Sequence, residues 1–315
     1  MEINTVGLIG AGAIGSYFLW GMDDLPKENI CMIAKGDRKQ RLEKDGLIIN
    51  DKEIRYPVKT PEEARGVDLL LISTKYGALS SILDDVKMVV DEHTIVLCLL
   101  NGVDSEEIIG REIGMDHILH SFMRISAERK DNSIFFNPDV TRGLVYGRAG
   151  ESKITEQTRA VADFLDKTKC RYTISKDILA DQWGKFAGNI SGNLPQAIFG
   201  VGAGAYVNGK YISLISRKLY EEVEAVALAK GIKITTYKEH EELKKSLHIR
   251  ENARYSTLQD LDAKRHTEID MFAGAMIRYG NELNIPVPYC EYTYYAIKTL
   301  EEKNDGLFNY KELAL

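Results

Sequence analysis

No stretch of the 315-residue chain is apolar over the ~20 positions needed to cross a bilayer. No membrane-spanning helix is therefore expected. The net charge is mildly negative and no basic block or stripe is present, so neither a nucleic acid nor an anionic membrane is an expected partner. The four cysteines, Cys31, Cys98, Cys170 and Cys290, are far apart and show no CxxC or other metal spacing. Three lie in apolar segments and are expected to be buried or half-buried thiols in a reducing compartment. No His/Cys/Asp cluster offers a metal site, and no metal is expected. There is no internal repeat and no low-complexity tract. Met1 to Gly10 read directly as a strand, without a charged leader before it, which points to the cytoplasm.

What is present suits two domains, since the chain is long enough for each to bury its own core. Thr5–Ile9, Ile30–Ala34, Val67–Ser73 and Thr94–Leu100 are short, nearly continuous apolar runs. Such runs fit strands covered on both faces of a parallel sheet. Helical patterns alternate with them, beginning at Ala13–Gly21, so the rhythm is that of a doubly wound sheet. Short alternating strands between Ile118 and Tyr146 (SIFFN, GLVYG) are expected to join that sheet antiparallel. A helix at Glu156–Lys167 and a strand at Arg171–Ile174 close the domain. After Ser175 the pattern is almost wholly helical: Lys176–Phe199, a glycine-rich break at 200–204, then 211–230, 236–247, 257–283 and 289–302. The expected division is 1–175 and 176–315, with the active site in the cleft between the domains.

Gly10-Ala11-Gly12-Ala13-Ile14-Gly15 fits G-x-G-x-x-G and directly follows a strand while opening a helix. The first glycine permits the tight turn, the second lets a pyrophosphate approach the backbone, and the third lets helix and strand pack. The helix N-terminal amides then face the phosphates. Past the second strand stands Lys35, where an NAD domain places an acid. A cation there favours a 2′-phosphate, hence NADP(H), although Asp37 could take the acid's part if the strand runs longer. Lys75 and Asn101-Gly102 follow two further core strands, at the ends that face the ligand crevice of an open parallel sheet.

In the helical half, Lys185, Asn189 and Asn193 advance only about 40° at each step of four. They form one polar row, and Gly184, Gly188 and Gly192 beside it cost about 1 kcal/mol each in a helix interior. Those glycines make sense if something must approach closely. A row of one ammonium and two amides suits a ligand bearing carbonyl, carboxylate and hydroxyl groups. Farther on, Ser256 with Gln259 fits a capping box. Glu268 falls on an apolar stripe with Leu261, Arg265, Phe272 and Met276, an expensive place for a carboxylate without partners. His266 lies off that stripe and is expected to be structural or solvated.

Taken in order, these motifs resemble the ketopantoate reductase family over nearly the whole chain: GAGAIG at 10–15, Lys35, Lys75, the Asn101-Gly102 turn, the KxxxNxxxN helix, and SxxLQDxxxxRHTEID from Ser256 to Asp270. The resemblance implies an α/β fold: an N-terminal Rossmann-type doubly wound sheet, plus an all-helical C-terminal domain like that of 6-phosphogluconate dehydrogenase. It implies NADPH-dependent reduction of a small-molecule 2-keto acid, with Lys185 as proton donor and Asn189, Asn193 and Ser256 on the substrate. By the same resemblance Asn101 touches both substrate and cofactor, Lys35 and Lys75 hold the adenosine end, Glu268 lies beside the nicotinamide ribose, and Ala127 makes a backbone contact with cofactor. Three departures lie near the substrate side: Leu194 precedes Pro195 where the family has proline directly after the asparagine, Ala203 replaces an expected asparagine, and Ser121-Phe122-Met123-Arg124 is bulkier than usual. They leave the particular keto acid open. The alternatives are a hydroxyacid dehydrogenase of the 3-hydroxyisobutyrate or 6-phosphogluconate type, and a non-catalytic NADP(H)-binding sensor. The apolar faces of the C-terminal helices would permit a homodimer.

Overall fold

The computed structural model describes residues 1–130, 133–245 and 250–308. They fall into two compact units, Met1–Leu179 and Ala180–Leu315. The first opens with β1 (Val6–Ile9), α1 (Ala13–Gly21), β2 (Ile30–Ile33) and α2 (Gly36–Asp45). Then come β3 (Leu47–Ile49), β4 (Lys52–Ile54) and β5 (Val58–Lys59). The alternation resumes with β6 (Leu69–Ile72), α3 (Leu79–Val89), β7 (Ile95–Cys98), α4 (Ser105–Ile113) and β8 (Ile118–Arg124). β9 (Ala127–Lys130), β10 (Ser133–Phe136), β11 (Gly143–Gly147), α5 (Glu156–Leu165) and β12 (Tyr172–Ile174) complete it.

Eight of these strands form one sheet in the order β12-β11-β8-β7-β6-β1-β2-β5. Every residue of β1, β2, β6 and β7 is buried, as the continuous apolar runs require of strands covered on both faces. β1 pairs parallel with β2 on one side and β6 on the other. The strand order reverses there, which makes the carboxyl ends of β1 and β6 the switch point where such sheets bind ligands.

The strands after Ile118 correct the sequence-based expectation. β8 runs parallel to β7, and only β11 joins the large sheet antiparallel, against β8. The SIFF strand, β10, belongs to a second sheet of order β4-β3-β10-β9. Its Phe136 packs edge-on against Tyr17 and Trp20 of α1, with ring centroids 5.4 and 5.3 Å apart. Alternating hydrophobicity marks a strand but does not name its partner, and here the aromatic face of α1 chose it.

The second unit is helical. α6 (Ile178–Phe199) straddles the division, and α7 (Ala205–Asn208), α8 (Lys210–Ala229) and α9 (Tyr237–Lys245) follow. α10 (Ser256–Asp262), α11 (Ala273–Leu283) and α12 (Pro288–Asn304) complete the described part; the end of the helix expected at 236–247 lies outside the described residues. Trp183, Phe186, Phe272 and Tyr279 form a linked aromatic core, with centroid separations of 5.6 to 6.1 Å.

The stretch expected to be helical over 257–283 is two helices with a turn segment at 263–272 between them. Lys264 takes the left-handed conformation at φ +53°. Arg265 N–H then reaches back to Asp260 O at 2.8 Å and Lys264 N–H to Leu261 O at 3.0 Å, the pair of bonds that closes a helix C-terminus. Leu261, Phe272 and Met276 are buried, so the apolar spacing was a true sign of inward facing. It was not a sign of one helix.

Candidate active site

Geometry sorts the three loop glycines. A Cβ built on Gly10, whose φ is +98°, would stand 2.6 Å from the carbonyl carbon and oxygen of Ser73. One on Gly15 would stand 2.2 Å from Gly10 O. Both glycines are therefore demanded by the packing of the loop against β6 and of α1 on the loop. Gly12 is different: its Cβ would meet only Ser73 O, at 4.0 Å, and its φ is an ordinary −87°. Among the described residues nothing requires a glycine at position 12.

Gly12 is the N-cap of α1, and no side chain caps that helix or places an acid in its first turn. The amides that follow, from Ala13 and Ile14, form a positive end suited to an anion. The buried hydroxyls of Ser16, Ser73 and Thr74, on α1 and just past β6, find no hydrogen-bond partner among the described residues. Ser73 Oγ lies 3.0 Å from where a Gly15 Cβ would be, so one of them is beside the loop. Unfilled hydroxyls and an uncapped helix end fit the phosphates of a dinucleotide. The hydroxyls were not singled out from the sequence, although standing past the carboxyl end of a core strand was the available signal.

Lys75 begins the short turn after β6 and is exposed, while Asn101 is half-buried just past β7. Tyr76 Oη donates to Asp104 at 2.6 Å, which ties the turn holding Lys75 to the loop holding Asn101. Lys35 is the N-cap of α2 and forms an ion pair with Asp85 of α3. The hydrogen bond and charge of Asp85 raise the lysine above its ordinary pKa, and Glu62 and Asp84 add to the effect. Ala127 opens β9, pairs with Phe136, and packs at the edge of this unit's core.

In the second unit, Lys185 and Asn189 are half-buried and Asn193 is 8% exposed. The glycines between them differ in purpose. A Cβ on Gly188 would press His240 of α9 at 3.2 Å, one on Gly192 would touch Tyr255 at 3.7 Å, and one on Gly184 would meet nothing within 4 Å. Close approach is thus supplied by the protein itself at Gly188. At Gly184 it is not.

Ser256 does not cap a helix. Tyr255 is the N-cap of α10 with no side-chain bond, and Gln259 Nε2 donates to Arg254 O at 2.6 Å, so the expected capping box is absent. Asn193 Nδ2 instead points at Ser256 Oγ at 3.5 Å, joining segments 63 residues apart. Gln196, fully buried, makes that meeting possible. Its Nε2 donates to Ala253 O at 3.1 Å, and its Oε1 accepts from Tyr255 N–H at 2.6 Å. No local pattern could have revealed a clamp between residues so distant in sequence.

Glu268 lies in the turn segment, half-buried, rather than on a helical stripe. His266 is exposed and its Nε2 meets Asp305 at 3.0 Å, in keeping with a structural part. All four cysteines are buried and unpaired. Burial holds each thiol above its ordinary pKa, Cys170 to about 12, so none is poised as a nucleophile.

Residues 6–148 match the family model described as ketopantoate reductase PanE/ApbA, and 177–301 match that of its C-terminal domain. The chain belongs to the ketopantoate reductase family. It is an oxidoreductase of that family. A 2-dehydropantoate 2-reductase of Streptococcus pyogenes serotype M6 is 25% identical over 291 residues, covering 90% of this chain and 94% of the relative. That of Pyrococcus horikoshii is 26% identical over 310 residues, covering 95% and 98%. Among solved structures, D-mandelate dehydrogenase with NADH and anilino(oxo)acetate superposes with a TM-score of 0.81 at 22% identity, over 96% of this chain and 99% of that one. The last likeness confirms the two-part fold, a parallel-sheet unit followed by a helical one.

Proposed function

We propose that the protein reduces a 2-keto acid to the 2-hydroxy acid with NADPH, and that 2-dehydropantoate is the first substrate to try. The supporting observation is the meeting of Asn193 with Ser256, on the same helix face as Lys185 and Asn189. One ammonium, two amides and a hydroxyl freed from helix capping together match a ligand with a keto oxygen, a carboxylate and a hydroxyl.

A bound NADPH supplies the hydride that adds to the keto carbon. The chain's own residues do the rest. The Lys185 ammonium faces the negative charge that grows on the keto oxygen, stabilises it, and delivers the proton that completes the alcohol. Asn189, Asn193 and Ser256 orient the acid by hydrogen bonds, which holds the keto carbon near its reacting geometry. Gly10 to Gly15, with the α1 amides, would hold the pyrophosphate; Lys35 and Lys75 would hold the adenosine end; Ala127 would contribute a backbone contact; Glu268 would lie beside the nicotinamide ribose; and Asn101 would touch both cofactor and substrate.

No helix among the described residues is long and apolar enough to cross a membrane. The proposed compartment is the cytoplasm, where four unpaired thiols remain reduced. A panel of 2-keto acids, including 2-dehydropantoate and an aryl keto acid, followed by loss of NADPH absorbance, tests the proposal. Turnover of at least one is expected. Oxidation of 3-hydroxy acids with no keto acid reduced would replace it by the hydroxyisobutyrate-type activity, and tight NADPH binding without any turnover would replace it by a sensor.

A further inference from the structure

The segment carrying Glu268 is held by a row of side chains on α12. Tyr294, Lys298 and Glu301, with Asp305 at the C-cap, recur at helical spacing and share a face. Tyr294 Oη donates to Asp270 at 2.7 Å, and Lys298 Nζ reaches the same carboxylate at 2.9 Å. Glu301 Oε1 accepts from both the main-chain N–H and the hydroxyl of Thr267, each at 2.7 Å. Its Oε2 lies 3.3 Å from Lys298 Nζ and 3.6 Å from His266 Nδ1. Glu301 is only 3% exposed, and a buried carboxylate is tolerated only with such a full set of partners.

The attachment points bracket Glu268, with Thr267 directly before it and Asp270 two residues after. Between α10 and α11 the chain has no helix: turn bonds from Met271 and Phe272 N–H to Glu268 O, at 3.1 and 3.2 Å, hold the segment after Glu268, and the α12 side chains anchor Thr267 before it and Asp270 beyond. Burial works against the charge of Asp270, yet the bonds from Lys298 and Tyr294 hold its carboxyl below the usual range. Lys298 is in turn held above its ordinary pKa by the same carboxylate, so the Asp270–Lys298 pair stays charged at neutral pH.

We propose that Glu301 is a positioning residue for cofactor binding: by gripping Thr267 at two points it fixes where the Glu268 carboxylate stands. The proposal rests on the cofactor role given to Glu268 above. It treats Glu301 as acting through its neighbour, without touching cofactor or substrate.

The test is a double-mutant cycle on the NADPH dissociation constant, measured by calorimetry, with kcat and the keto acid KM alongside. Glu301→Ala removes the grip. Thr267→Val removes one of its two bonds with little change of shape, so it serves if Glu301→Ala does not fold. Thr267→Ser is the conservative rescue. Thr267→Val and Glu301→Ala are each expected to weaken NADPH about tenfold, Thr267→Ser to bind as wild type, and neither loss to appear once Glu268→Ala is present. A full tenfold loss on top of Glu268→Ala overturns the proposal while leaving the role of Glu268 standing. Wild-type NADPH binding in Glu268→Ala itself overturns that role, and the proposal with it.

Discussion

Lys35, at the N-terminal edge of α2, is paired with Asp85 on α3, and the lysine is the more exposed partner at 53% against 14%. A 2′-phosphate recognised by Lys35 must therefore share the ammonium with a carboxylate. Asp85→Asn should tighten NADPH relative to NADH. Solvent screens an exposed pair of this kind, so the change should be no more than a few-fold. Lys35→Asp should shift preference toward NADH. Dissociation constants for both cofactors decide it, and equal changes for the two in Asp85→Asn would mean that the phosphate is recognised elsewhere.

The loop glycines should separate stability from binding. Gly10→Ala puts a Cβ at 2.6 Å from Ser73 backbone at a φ of +98°, and Gly15→Ala puts one at 2.2 Å from Gly10 O. Each should cost roughly 2 kcal/mol or more of stability. Gly12→Ala meets nothing closer than 4.0 Å, so its melting temperature should match the wild type. Its NADPH affinity should nonetheless fall at least about tenfold, because the methyl occupies the approach to the pyrophosphate. Thermal melts and calorimetry on the three variants check this, and an unchanged affinity in Gly12→Ala would remove the loop from the cofactor site.

Pro195 sits inside α6, and the helix continues through it because Tyr206 enters the gap. The Tyr206 hydroxyl donates to Gly192 O and accepts from Gln196 N–H at 3.1 Å, bridging two groups that would otherwise bond each other. Burial raises its pKa, so it stays a neutral donor. Tyr206→Phe leaves a buried carbonyl and a buried N–H to find other partners, at a cost of about 1–3 kcal/mol. Denaturant unfolding should show that loss. A larger KM for the keto acid should accompany it, since Gly192 and Gln196 flank Asn193.

The parts of the molecule that were legible beforehand are those governed by local pattern. The apolar runs of β1, β6 and β7, the glycine loop and the Lys185–Asn189–Asn193 row all lie within one element or one turn of it. What escaped was contact between distant segments. Gln196 on Tyr255 and Glu301 on Thr267 join residues 59 and 34 apart, and no periodicity encodes such a pair. The end of α10 escaped for a different reason. Its left-handed residue is Lys264, which carries none of the signal that a glycine there would have given. Ser256 matched a capping pattern, but Tyr255 occupies the N-cap, one residue earlier.

In the proposed reaction Lys185 carries the chemistry, and two substitutions divide its work. Lys185→Ala removes both the positive charge facing the keto oxygen and the proton. Its kcat should fall on the order of 10²–10⁴-fold. NADPH affinity should change less than about twofold, since the proposed cofactor contacts lie on other residues. Lys185→Arg keeps the charge, but a guanidinium does not give up its proton in proteins. It should therefore hold the keto acid better than the alanine variant and still turn over slowly, a KM effect split from a kcat effect. Steady-state kinetics with the best substrate from the keto acid panel, together with NADPH titrations, measure both. A wild-type rate in Lys185→Ala would remove this lysine from the reaction, and a wild-type rate in Lys185→Arg would leave it charge stabilisation only, with the proton coming from solvent.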